Sequence, residues 1–149
     1  MSAVLCDPVR YAVDTVKRGG GVGGDGVYLG CDTSACDSNT IVNNILSNNA
    51  NAGIESYEQG SSSDPASSDV LDNNLFYNNG ATCLFSEGST GLSCTNVKTG
   101  NPMYTTAGSN FQLLAGSAAI GTATTSNAPA TDYAGTALTV PNDIGAYEH

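Results

Sequence analysis

The chain has 149 residues, with 4 Lys and Arg against 14 Asp and Glu, a net charge of −10 that excludes phosphate-backbone binding by a basic surface. No apolar run approaches the ~18 residues a membrane-spanning helix needs. Charged residues make up 12%, about half the usual share of ~25%, so the polarity comes from Asn, Ser, Thr and 18 glycines. No amphipathic helical pattern of useful length stands out, and the chain reads as all-β. No charged-then-apolar leader opens it, so the expected signal peptide is removed or lies upstream.

In chain order, residues 1–38 are the weakest part of the pattern. Val4, Leu5, Val9, Tyr11 and Val13 are apolar but too few to seal a layer of structure. Residues 19–28 read GGGVGGDGVY. Gly21, Gly23 and Gly26 match a dinucleotide fingerprint as a string, but no strand precedes them and no helix follows. Residues 20–28 also match one copy of a calcium-binding nonapeptide, with Asp25 as its carboxylate. That motif works in tandem, and a single copy falls short of the six to eight oxygens calcium takes. Calcium at Asp25 is therefore a secondary expectation, and no cofactor is required.

Five cysteines are many for a reduced cytosolic chain of this size. Cys31 and Cys36 flank the turn-forming Asp32-Thr33-Ser34-Ala35, which predicts one disulfide. Cys83 and Cys94 enclose a glycine- and serine-rich loop, which predicts a second. Cys6 is left over. The expected location is extracellular, cell-surface or periplasmic.

Residues 39–57, NTIVNNILSNNANAGIESY, align without a gap on residues 69–87, DVLDNNLFYNNGATCLFSE, at a shift of 30. Asn43-Asn44 falls on Asn73-Asn74, and Asn48-Asn49 on Asn78-Asn79. Ser56 falls on Ser86. Ile41, Ile45 and Ile54 fall on Leu71, Leu75 and Leu84. A weaker copy over residues 11–29 places Val16 near Ile45 and Val27 near Ile54, with an insertion within residues 19–26. Short apolar segments with asparagine punctuation predict a coil of parallel strands about 4.8 Å apart. Aliphatic residues stack inside it, and asparagines stack at its corners, where Asn tolerates a left-handed bend. A right-handed parallel β-helix of roughly three coils is the expected fold, with an antiparallel sandwich as the competitor.

From Gly100 onward the chain reads Gly100-Asn101-Pro102-Met103-Tyr104, Asn110-Phe111-Gln112-Leu113, Gly116-Ser117-Ala118-Ala119-Ile120, Asp132-Tyr133-Ala134-Gly135 and Asp143-Ile144-Gly145-Ala146-Tyr147-Glu148. This order resembles the C-terminal segment of right-handed parallel β-helix proteins of the pectin-lyase-like superfamily. It departs from that pattern at Ala118, at Gly121 and in lacking an Arg after Gly135. The resemblance implies a capping segment over residues 100–149, following a weak coil at 1–38 and repeat coils at 39–99, all in one domain. The cap is expected to cover a sheet edge.

Carbohydrate contact is the first functional expectation, at Tyr57, Tyr77, Glu55 and Glu87, with Glu58 close by. Neutral sugar hydroxyls suit this surface better than a polyuronate, which the net charge repels. No catalytic set emerges: Lys17, Arg18 and Lys98 are scattered, His149 is terminal, and Asp69 and Asp72 lack equivalents. The second expectation is a fragment of a pectin-lyase-like polysaccharide lyase or glycoside hydrolase. The third is a structural adhesin or passenger segment. A homo-oligomer joined through the N-terminal coil is expected, because an open top coil leaves strand edges to be covered.

Overall fold

The computed structural model describes residues 10–11, 15–17, 24–31, 39–58, 69–86, 92–126 and 128–149. Cys6, Cys36 and Glu87 lie outside the described residues, as do the side chains of Cys31, Tyr57 and Glu58. The strands are β1 (Arg10–Tyr11), β2 (Thr15–Lys17), β3 (Val27–Cys31), β4 (Thr40–Val42), β5 (Ile45–Ser47), β6 (Ala52–Glu58), β7 (Val70–Asp72), β8 (Leu75–Tyr77), β9 (Ala81–Ser86), β10 (Cys94–Thr95), β11 (Lys98–Thr99), β12 (Tyr104–Thr106) and β13 (Asn110–Leu113). No α-helix occurs among the described residues.

Three sheets are parallel throughout, in the orders β1-β4-β7-β10, β2-β5-β8-β11 and β3-β6-β9. The chain visits them in the same order on each pass, an arrangement compatible with a β-solenoid. β12 and β13 form a separate antiparallel hairpin.

The first two sheets keep the 30-residue shift: Ile41 lies beside Leu71 and Ile45 beside Leu75. The third sheet does not. There Ile54 lies beside Cys83, Glu55 beside Leu84 and Ser56 beside Phe85, which corrects the expected pairings of Ile54 with Leu84 and Ser56 with Ser86. The later pass is one residue shorter at this corner, so Ala52 meets Ala81. Because side chains alternate along a strand, that slip changes which residues share a face. The weak first copy is real in its strands. Val27 lies beside Ile54 as expected, while Val16 lies beside Leu46 rather than Ile45.

The asparagines explain the sharp corners. Asn43, Asn48, Asn73 and Asn78 have φ of 60°, 59°, 50° and 53°, the left-handed bend Asn adopts at low cost. Each first asparagine of a pair reaches its counterpart on the neighbouring pass: Asn73 Nδ2 donates to Asn43 Oδ1 at 2.8 Å, and Asn78 Nδ2 to Asn48 Oδ1 at 2.7 Å. The second asparagines bond to backbone as well. Asn74 Oδ1 accepts from Asn44 N and Nδ2, and Asn74 Nδ2 donates to Ile41 O. Asn79 repeats the pattern with Asn49 and Leu46 O. Buried amides satisfied in this way fix which pass residue meets which.

Inner faces of all three sheets feed one apolar cluster, built from Val27, Leu29, Ile41, Leu46, Ile54, Leu71, Phe76 and Leu92. Ile45 and Leu75, on the opposite face of the second sheet, join another cluster with Leu113, Ala119 and Ile144. The C-terminal segment therefore lies along a sheet face. Among the described residues none of its strands pairs with β9, β10 or β11, so the edge expected to be covered is not paired by it. Gly145 N donates to Asn43 O, anchoring this segment at the first asparagine corner.

Cys83 and Cys94 are joined, with Cα atoms 6.6 Å apart, as expected. Both half-cystines pack against the first cluster, tying the last strand of the third sheet to the last strand of the first. Replacing both with Ser should lower unfolding free energy by about 3 kcal/mol, the loop-closure value for a separation of 11 residues, as read by urea denaturation. Asn74→Ala should likewise lose about 3 kcal/mol, because it strands the buried Asn44 amide and Ile41 carbonyl. Asn78→Gly, on an exposed rung, should lose about 1 kcal/mol or less. Equal losses for the two asparagines would contradict this account of the corners.

Candidate functional site

Two places on the molecule gather polar chemistry. The first is a cleft of about 300 Å³ where the chain turns from β8 into β9 beside the end of β11. Its walls are Phe76, Tyr77, Asn78, Asn79, Ala81, Thr82, Thr99 and Gly100. The second and third sheets explain why it exists. β8 is followed laterally by β11, but β9 has no further strand beyond it among the described residues. Gly100 then leaves the repeat, so the corner under Asn79 has no successor.

The cleft carries no charged side chain. It combines two aromatic residues with amides and hydroxyls, and its volume is at the small end of the ~300–1,000 Å³ typical of small-ligand sites. Phe76 is held from behind because Gly53, which has no side chain, lets its ring approach; a Cβ there would overlap the ring. Asn79 commits both amide groups to Asn49 and Leu46, so it is a rigid wall.

The second place is a carboxyl pair on the turns leading into β3 and β6. Asp25 is fully buried, and its Oδ1 accepts from Ala52 N at 3.0 Å and Asn51 Nδ2 at 2.9 Å. Asn51 Nδ2 also donates to Glu55 Oε2 at 2.9 Å. Glu55 and Asp25 thus share the Asn51 Nδ2 donor. Burial first, then the Asp25 carboxyl and its charge, push the Glu55 carboxyl above its ordinary 4.5. The donors facing Asp25 are N–H groups, and no group of three or more His, Cys, Asp or Glu side chains is placed to hold a metal among the described residues. Gly26 beside it is a packing requirement, since a Cβ would press on Gly53 O and the Asn49 amide.

The sequence expectations are only partly gathered together. Tyr77 reaches the cleft, while Glu55 lies on a different sheet, with Asp25. Tyr57 stands on β6 two residues after Glu55, Tyr28 and Leu84 flank Glu55 across the sheet, and Glu87 lies outside the described residues. Phe76, Thr82 and Thr99 were missed because nothing in the repeat marks where it ends. The Asp25–Glu55 contact was hidden by the insertion in the first pass.

The C-terminal carboxylates have a structural explanation. Asp132 is pushed up by burial, but the backbone N–H groups of Glu148, Thr136 and Ala134, with the Thr136 side chain, outweigh this and hold it below 3.8. Asp143 accepts from Gly121 N and His149 N, and Glu148 accepts from Thr139 and Asp143 N.

The two shifted carboxyls have opposite effects on stability. Glu55, raised in the folded state, contributes fully below 4.5 and loses that contribution as pH rises through its raised value. Asp132, lowered, contributes above 3.8 and loses it as pH falls through its lowered value. Glu55→Gln keeps a donor for Asp25 and removes the titration. Its denaturation midpoint should exceed that of the parent at pH 7 and match it near pH 4, and a lower midpoint at pH 7 would contradict a raised Glu55.

Comparison with known protein families, with curated proteins and with solved structures finds no match to this chain.

Proposed function

We propose that this chain is a right-handed parallel β-helix module of the pectin-lyase-like type that binds neutral carbohydrate outside the cytoplasm without catalysing its cleavage. The uncharged cleft at Tyr77 carries the reading. An aromatic ring offers a face for the C–H side of a pyranose, and the Thr82, Thr99 and Asn78 side chains offer hydroxyl-sized hydrogen-bond partners. A cleft without Lys or Arg has nothing to neutralise a uronate, and the net charge of −10 repels one.

The parallel sheets, the 30-residue recurrence and the disulfide support the architectural and compartment parts of the proposal. Glycoside hydrolysis is disfavoured at Asp25 and Glu55. Asp25 is fully buried with its Oδ1 committed to Ala52 N and Asn51 Nδ2, so the pair does not flank a space open to a sugar.

Titration calorimetry with cellobiose and with digalacturonate tests the proposal. Cellobiose should bind, digalacturonate should bind at least tenfold more weakly, and Tyr77→Ala should weaken cellobiose about tenfold, the equivalent of one aromatic contact. Absence of cellobiose binding at millimolar concentration, or equal binding of the two sugars, would refute it.

A further inference from the structure

Among the described residues two asparagine corners share one design, and one of them already holds a segment of the chain. At the corner between the first and second sheets, Asn43 and Asn73 form a rung pair. Residues 122–124 lie along it. Asn43 Nδ2 donates to Thr124 O at 2.7 Å, Thr124 N donates to Asn43 Oδ1 at 3.0 Å, and Asn73 Nδ2 donates to Thr122 O at 2.9 Å. A side-chain amide here pairs with a peptide group as another peptide group would, giving and receiving one hydrogen bond. Asn43 and Asn73 are buried as a result.

The corner between the second and third sheets repeats this geometry. Asn48 and Asn78 have the same left-handed φ as Asn43 and Asn73. Asn78 Nδ2 reaches Asn48 Oδ1 as Asn73 Nδ2 reaches Asn43 Oδ1. Here the amides face outward: Asn48 is half-buried and Asn78 exposed. No hydrogen bond from Asn48 Nδ2, and none to Asn78 Oδ1, is made with the described residues. Asn48 keeps the donor and the acceptor lone pair that Asn43 gives to Thr124, and Asn78 keeps the second N–H that Asn73 gives to Thr122.

We propose that the Asn48–Asn78 corner is a docking rail for an extended, uncharged polypeptide segment of the kind the chain itself lays on Asn43 and Asn73. The occupant is small and hydroxyl-rich, like residues 121–126, Gly-Thr-Ala-Thr-Thr-Ser. The N–H and C=O of one residue meet Asn48, the C=O two residues earlier meets Asn78, and small side chains clear the turn. A peptide suits the rail better than a glycan because it supplies a donor and an acceptor fixed in one plane, as Thr124 does. The net charge of −10 disfavours acidic segments. The rail adjoins the sugar cleft, since Asn78 belongs to both, and Tyr77→Ala tests the cleft without touching either rung.

Nuclear magnetic resonance of the ¹⁵N-labelled chain, titrated with acetylated and amidated GTATTS, tests it. The side-chain amide signals of Asn48 and Asn78 should shift saturably. Asn48→Asp keeps an acceptor for Asn78 and tolerates the left-handed bend but removes the donor, so it should weaken binding about tenfold. If that variant does not fold, the shifts in the parent chain decide the matter. Three outcomes overturn the proposal: no shift at these amides at millimolar peptide, shifts confined to Asn43 and Asn73, or movement of the Asn48 and Asn78 amides by cellobiose and not by peptide. Undiminished binding by a folded Asn48→Asp variant also overturns it.

Discussion

The amide of asparagine is the interaction on which this structure depends. A corner needs a residue that bends left-handed, and a buried corner needs its polar groups satisfied. Asn meets both demands with one side chain, and glycine meets only the first. Asn44, Asn49, Asn74 and Asn79 bond to amides and carbonyls of the neighbouring pass. A strand displaced by one residue would lose those bonds and turn its apolar face outward. Short strands of three residues, such as β4, β5, β7 and β8, have too few ladder bonds of their own to fix register. The corners supply the specificity that the strands lack.

That division of labour decides how much was legible in the sequence. Paired asparagines recurring in phase with aliphatic residues imply stacked corners, and the first two sheets follow the expected register. The third sheet departs because its corner depends on the residues between each asparagine pair and the next strand, not on the asparagines themselves. Residues 50 and 51 precede β6, whereas Gly80 alone precedes β9. An ungapped alignment assigns one period to the whole unit and cannot express a one-residue difference at a single corner. The same limit hid the carboxyl pair. Asp25 meets Asn51 and Glu55 across a spacing shortened by the first-pass insertion.

The C-terminal segment shows a different limit. Its motif order pointed to a cover for an exposed edge, yet Leu113, Ala119 and Ile144 settle on Ile45 and Leu75. The repeat itself explains this choice. Isoleucine and leucine at positions 45 and 75 alternate with the inward-facing Leu46 and Phe76, so the second sheet is apolar on both faces. A sheet of that kind must be covered on its outer side. The segment provides the apolar layer and uses backbone groups at 122, 124 and 145 to satisfy the neighbouring Asn43 and Asn73. Its own fold is held by Asp132, Asp143 and Glu148, whose carboxylates take up backbone N–H groups in loops without sheet partners.

The low content of charged residues has the same origin. Where most proteins place Lys and Glu, this chain places Asn, Ser and Thr, whose short side chains bond to local backbone. Several of its carboxylates are engaged internally: Asp69 by Asn39, Asp72 by Thr95 and Asn96, and the C-terminal three by main-chain amides. A surface built this way is polar without carrying strong local fields. Its recognition must come from hydrogen-bond geometry and aromatic faces instead of ion pairing, because long-range steering needs clustered charge. That constraint applies to the cleft beside Tyr77 and to the Asn48–Asn78 corner alike. Both present donors and acceptors at positions fixed by the stacking of successive passes, so the feature that specifies the fold also sets the geometry that the proposed ligands have to match.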